Sequence, residues 1–142
     1  MKLNIAATYL VICLLAIIPI SGCKKAAEAV VTEDLVLTLM TTGRWTMEAF
    51  TVSGTSVIAE FSGYEFQFNR DGSVDAIKGT STTKGTWKGD QSTLSIQSAF
   101  PTGTDTLKRL NYTWYITKNG LTYVEAKAVD GLITSTMRLV RK

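Results

Sequence analysis

From residue 44 onward, apolar and polar positions alternate in short runs broken by turn residues. Tyr64, Phe66 and Phe68 fall on one side of an extended segment, and Glu65, Gln67 and Asn69 on the other. That period of two is the mark of a half-buried strand. The same pattern places strands over 44–53, 57–61, 64–69, 73–78, 83–88, 93–98, 107–117, 121–129 and 132–141. The run 107–117 is read as the longest, and Leu94 and Ile96 as sharing a face. Arg70-Asp71-Gly72, Gly89-Asp90, Lys118-Asn119-Gly120 and Asp130-Gly131 separate these runs. Asn-Gly and Asp-Gly favour hairpins because they tolerate the positive φ of the preferred turns. Segment 100–106, with Pro101 and Gly103, reads as a loop, as does Thr80-Ser81-Thr82-Thr83 at a barrel mouth. Most connections are hairpin-length, so sequence neighbours pair. The expected fold is all-β: an antiparallel up-and-down β-barrel of about eight strands, closed on itself because closure removes exposed edges.

Upstream of residue 44 the period changes. Leu35, Val36, Leu39 and Met40 make one apolar helical face. Thr32 can cap it, Glu33 and Asp34 sit where the helix dipole favours acids, and Gly43 can stop it. A short helix over 33–42 is expected to pack this face on one end of the barrel. Earlier still, Lys2 precedes an apolar run over 10–18, and Pro19 ends it. The run is short against the ~20 residues of a membrane span, and its order is that of a signal peptide.

Ile20-Ser21-Gly22-Cys23 follows immediately. It resembles the lipobox of bacterial lipoproteins at all four positions. The resemblance implies a diacylglyceryl group on the Cys23 thiol, cleavage before Cys23, and a further acyl chain, such as palmitate, on its amine. One chain holds a protein marginally at a bilayer, and two hold it stably. The chain then divides into a lipoprotein signal peptide (1–22), a lipidated tether (23–32) and a barrel domain (33–142). An uncleaved helix and an ordinary secretory signal with a free Cys23 are the alternatives. Lys24 after the cysteine implies a lipid-anchored protein of the cell envelope, at the outer membrane.

Composition narrows the function. Loss of 1–22 leaves 120 residues, with 14 bases against 12 acids. So weak and scattered a positive charge does not suggest nucleic acid. Cys13 leaves with the signal and Cys23 carries lipid, which leaves no pair for a disulfide. The sequence has no histidine, the commonest general base and transition-metal ligand.

A helix followed by Gly43-Arg44-Trp45 at the first strand resembles the Gly-x-Trp signature of lipocalins. Phe68-Asn69-Arg70-Asp71-Gly72-Ser73-Val74, with Gly85-Thr86-Trp87 and Leu94-Ser95-Ile96, resembles the lipocalin-like domain lipoproteins of Gram-negative bacteria. The resemblance covers about residues 33–142. It implies a barrel base in which Arg138 or Arg141 stacks on Trp45, a contact of about 0.5–2 kcal/mol. Gly43, Trp45, Arg138 and Arg141 are therefore the candidate structural residues.

The candidate ligand-binding residues are Trp45, Tyr64, Phe66, Phe68, Trp87, Tyr112 and Trp114, an aromatic set that could wall a pocket. The same rings would fill a small barrel. Glu48, Glu65 and Glu125 lie within strands, where a buried pair could act as acid and base, but solvated strand faces account for them. Arg70-Asp71-Gly72 has one carboxylate, too few oxygens for calcium. The serines have no histidine to activate them and no Gly-x-Ser-x-Gly elbow. No catalytic residue, metal site or cofactor is expected. The leading expectation is a non-enzymatic, membrane-anchored lipocalin-like lipoprotein that binds a small apolar ligand in or at the mouth of the barrel. The alternative is an envelope protein-interaction or inhibitor module with a filled barrel. Expected partners are the bilayer through acylated Cys23 and either a small hydrophobic ligand or an envelope protein.

Overall fold

The computed structural model describes residues 33–142. The leader, the Cys23 anchor, the tether and the Thr32 cap lie outside the described residues. Helix α1 (Glu33–Thr41) matches the expected position. Gly43, at φ +77°, ends it, and Met40 carries it into the core.

Nine strands follow: β1 (Trp45–Val52), β2 (Thr55–Ser56), β3 (Tyr64–Phe68), β4 (Ser73–Lys78), β5 (Ser81–Asp90), β6 (Ser95–Ala99), β7 (Thr113–Asn119), β8 (Tyr123–Asp130) and β9 (Ile133–Arg141). From β3 to β9 each pairs with the next, and β1 pairs with both β3 and β9. The two-residue β2 folds back on the end of β1, so eight antiparallel strands make the closed wall. The closing seam runs from Trp45↔Arg141 to Val52↔Ser135, with a bulge at Glu48. The β1–β3 seam is far shorter, at Trp45↔Phe66 and Thr46↔Glu65. Among the described residues, the buried core lies between Met40 and Leu139.

The register sorts the connections between two ends. Helix α1 and the β3–β4, β5–β6 and β7–β8 turns lie at the base. The β1–β3, β4–β5, β6–β7 and β8–β9 connections lie at the mouth.

Six local expectations are corrected. The run 57–61 is not a strand. It forms a 3-10 turn, Ile58–Phe61, because β1 there already bonds β9 and β2, and Phe61 turns in to stack 4.7 Å from Phe50. The threonine run is not a loop. Ser81–Thr83 begin β5, which is the longest strand, and the turn is made at Gly79 with φ +59°. Gly89-Asp90 is not the next turn, since β5 runs through both and the chain reverses beyond Asp90. Leu94 adopts φ +49° there and is exposed, so it does not share the face of buried Ile96. Finally, 107–117 is not one strand. Helix α2 (Asp105–Lys108) takes its first part, with the Thr104 Oγ1 cap accepting from Leu107 N at 3.4 Å. Lys118 and Asn119 end β7 rather than turn.

Candidate functional site

Most of the candidate aromatic set lies inward. Trp45, Tyr64, Phe66, Phe68, Trp87 and Trp114 are buried, and Tyr112 is half-buried against them. They do not wall an open chamber. The space left at the centre is about 20 Å³, lined by Phe66, Phe68, Phe100, Met47, Met137 and their neighbours. That is room for about one water molecule, which needs about 10–15 Å³.

Each indole also has a fixed structural task. Trp45 Nε1 donates to the Met40 carbonyl at 2.9 Å and ties α1 to the base. Trp87 Nε1 donates to the Asn69 carbonyl at 2.9 Å and holds the β3–β4 turn. Trp114 Nε1 donates to the Leu110 carbonyl at 3.1 Å and anchors the segment after α2. A buried indole N–H needs such a partner, and here all three partners are backbone carbonyls just outside the strands.

The mouth is sealed by parts that the sequence pattern did not single out. Phe61 of the 3-10 turn packs on Phe50, which meets Trp114 edge-on at 5.7 Å. Leu107 of α2 is fully buried in the same core. The two mouth segments are joined by a forked ion pair: Arg109 Nε donates to Glu60 Oε2 at 2.9 Å and its Nη2 to Oε1 at 3.2 Å. Neither residue stands out in a hydropathy pattern, because ion pairing across long sequence distance leaves no periodic signal.

The arginine expectation is corrected in detail. Alternation along β9 turns Met137 and Leu139 in and Arg138 out. Arg138 donates to Glu48 and Glu125 and lies 4.5 Å over the Tyr123 ring, not over Trp45. Arg141 is the residue at the base. It is paired with Trp45 in the ladder, and its stem lies 3.3 Å from where a Gly43 Cβ would stand. Among the described residues, the cations over rings are Arg138 on Tyr123 and Lys78 on Tyr64.

The strand glutamates are engaged at the surface. Glu48 and Glu125 share Arg138. Glu65 bonds Lys142 at 2.5 Å and Arg44 at 3.0 Å. Hydrogen bonds from these two cations hold its carboxyl below the ordinary 4.5. No group of three metal-ligating side chains occurs among the described residues.

The outer surface is less uniform than the core. Val129, Leu132 and Ile133 are exposed at the β8–β9 hairpin. A depression of about 270 Å³ crosses β5, β6 and β7, with Tyr115 in its lining.

No protein-family model matches the chain, and no curated protein matches it. Among solved structures, a DUF4847 family protein from Bacteroides vulgatus superposes with a TM-score of 0.56 at 15% identity, over 75% of this chain and 97% of that one. The domain has the lipocalin-like fold. Its neighbour-paired, closed eight-strand wall is the architecture of that class. Bovine odorant-binding protein in complex with a selenium-containing odorant gives a TM-score of 0.44 at 14% identity, over 75% of this chain and 72% of that one. Its complex with undecanal gives 0.40 at 12%, over 70% of each chain.

Proposed function

We propose that this protein is a non-enzymatic envelope module, anchored by lipid at Cys23, that recognises its partner with the outside of a filled lipocalin-like barrel. The observation that carries this reading is the interior space of about 20 Å³. A site for a small apolar ligand occupies about 300–1,000 Å³, so the candidate pocket rings serve as core. Their three indole bonds to neighbouring segments support the same reading. The Ile20-Ser21-Gly22-Cys23 run supports the anchor, and Lys24 supports the outer membrane. The absence of histidine from the sequence, and the engagement of all three strand glutamates by cations, support a role without catalysis.

Two measurements on one preparation test the proposal. Expressed in a Gram-negative host with labelled palmitate, the full chain should incorporate label, and Cys23→Ser should not. The Cys23→Ser protein, purified without detergent, should give the polypeptide mass alone in native mass spectrometry. Equal labelling of the variant overturns the anchor. A stoichiometric copurified lipid overturns the filled barrel and supports binding of a small apolar ligand in or at the mouth of the barrel.

A further inference from the structure

We propose that the outer face of β5, β6 and β7 is a binding groove for a neutral saccharide. This rests on the reading that recognition occurs outside the barrel, and it names the site and the ligand class.

The register builds the groove. Trp87, Ile96 and Trp114 face inward, so their strand neighbours face out. Two outward rows cross the three strands: Lys88↔Gln97↔Thr113 and Asp90↔Ser95↔Tyr115. Together with Thr93 they line the depression of about 270 Å³. Its floor is small and polar. Ser95 is 6% exposed, and its hydroxyl lies 2.8 Å from that of Thr93. Its wall is the Tyr115 ring, 47% exposed. A second open depression continues it around the β5–β6 turn and shares Lys88 and Asp90.

Asp90 is held in place before any ligand arrives. Its Oδ1 accepts from Ser92 N at 2.9 Å, Ser92 Oγ at 2.6 Å and Thr93 N at 3.3 Å. Oδ2 is left as a fixed acceptor among the described residues. Gln97 offers both a donor and an acceptor, Lys88 only donors, and the serine and threonine hydroxyls either.

This inventory selects a ligand class. On both flanks of β6 the backbone is consumed by ladder bonds to β5 and β7, so a peptide cannot add as a strand. Tyr115 is the one aromatic ring in a lining whose other side chains all carry polar groups, so a hydrocarbon would strand those groups and gain little. The fixed carboxylate of Asp90 beside Lys88 disfavours a polyanion. A sugar ring presents what remains: a rim of hydroxyls that both donate and accept, and a C–H face that can lie on an aromatic ring. Because the groove runs on past the turn, a short chain of sugars fits better than a single ring.

The test uses the domain from Lys24 onward, which contains every core residue described above and both closing strands. The ¹⁵N-labelled domain is titrated to millimolar levels with maltohexaose, cellohexaose, mannohexaose and xylohexaose in turn. The expected result is that at least one of them shifts the amide signals of Asp90, Gln97, Thr113 and Tyr115. Tyr115→Ala and Gln97→Ala, each with an otherwise native spectrum, should weaken that binding about tenfold or more. The proposal is overturned if none of the four sugars shifts these signals, if the shifts map elsewhere, or if both variants bind as the parent does. Such a failure leaves the copurification and lipid-labelling results untouched, so it is distinguishable from failure of the anchor or of the filled barrel.

Discussion

Trp45 shows how one side chain can hold two elements. Its ring is fully buried and its N–H is spent on the last turn of α1. Replacing it with alanine removes both, and Trp45→Ala should cost about 3–5 kcal/mol in urea unfolding. A loss under about 1 kcal/mol would mean that the base does not depend on it. Gly85 acts through space rather than through contacts it makes. A Cβ there would stand 2.5 Å from the Ala99 carbonyl oxygen and 2.7 Å from the Phe100 ring. The oxygen belongs to the β6 backbone, so it cannot swing aside. Gly85→Ala should destabilise by about 1–3 kcal/mol or more and broaden the amide signals of β5 and β6. An unchanged unfolding midpoint would show that the two strands can part without cost. Sequence pattern offered Trp45 readily, because tryptophan is rare and large. Gly85 entered only within the Gly85-Thr86-Trp87 resemblance, without its reason, because its steric constraint exists only once β6 lies beside it.

At the scale of elements, legibility followed locality. Helix α1 and most of the hairpins announce themselves through alternation and turn residues that act over a few positions. The mouth did not. The run 107–117 looks extended by its apolar spacing, yet Thr104, Asp105 and Lys108 supply a cap and both helix charges, and a single turn of helix forms. The 3-10 turn likewise depends on a pairing partner that β1 has already given away. These two non-strand pieces close the barrel together, and Arg109 with Glu60 joins them. Both side chains are partly exposed, at 41% and 35%, so a double-mutant cycle of Arg109→Gln and Glu60→Gln should yield a coupling of about 0.2–1 kcal/mol. Hydrogen exchange over 100–112 should speed up in either variant while β8 and β9 keep their protection. Equal rates throughout would show that apolar packing alone seals the mouth. The candidate pocket residues were legible as inward-facing. Whether they enclosed space was not, because volume depends on how opposite walls meet.

For the whole molecule, acid is the informative stress. Asp71 and Asp90 are held below their ordinary 3.8, chiefly by the hydroxyls of Ser73 and Ser92, and Glu65 is held below 4.5, chiefly by Lys142. A depressed folded value means that the unfolded chain takes up protons first. The stabilisation is therefore complete above the ordinary values and is lost as pH falls through the folded ones. The urea midpoint should hold near neutrality and drop below about pH 4, and Asp71→Asn with Asp90→Asn should flatten that drop. A midpoint that stays level into strong acid would contradict the bonds described at both turns.

The seam between β1 and β9 sets the order in which the molecule can come into being. Trp45 finds its ladder partner in Arg141, at the far end of the domain, and pairings so distant in sequence form slowly. Until β9 arrives, β1 and β8 are raw edges, open to pairing with other chains. The wall is therefore the last thing made: a chain whose final strand is still unpaired remains an open, unfinished sheet, and becomes a barrel only when that strand arrives.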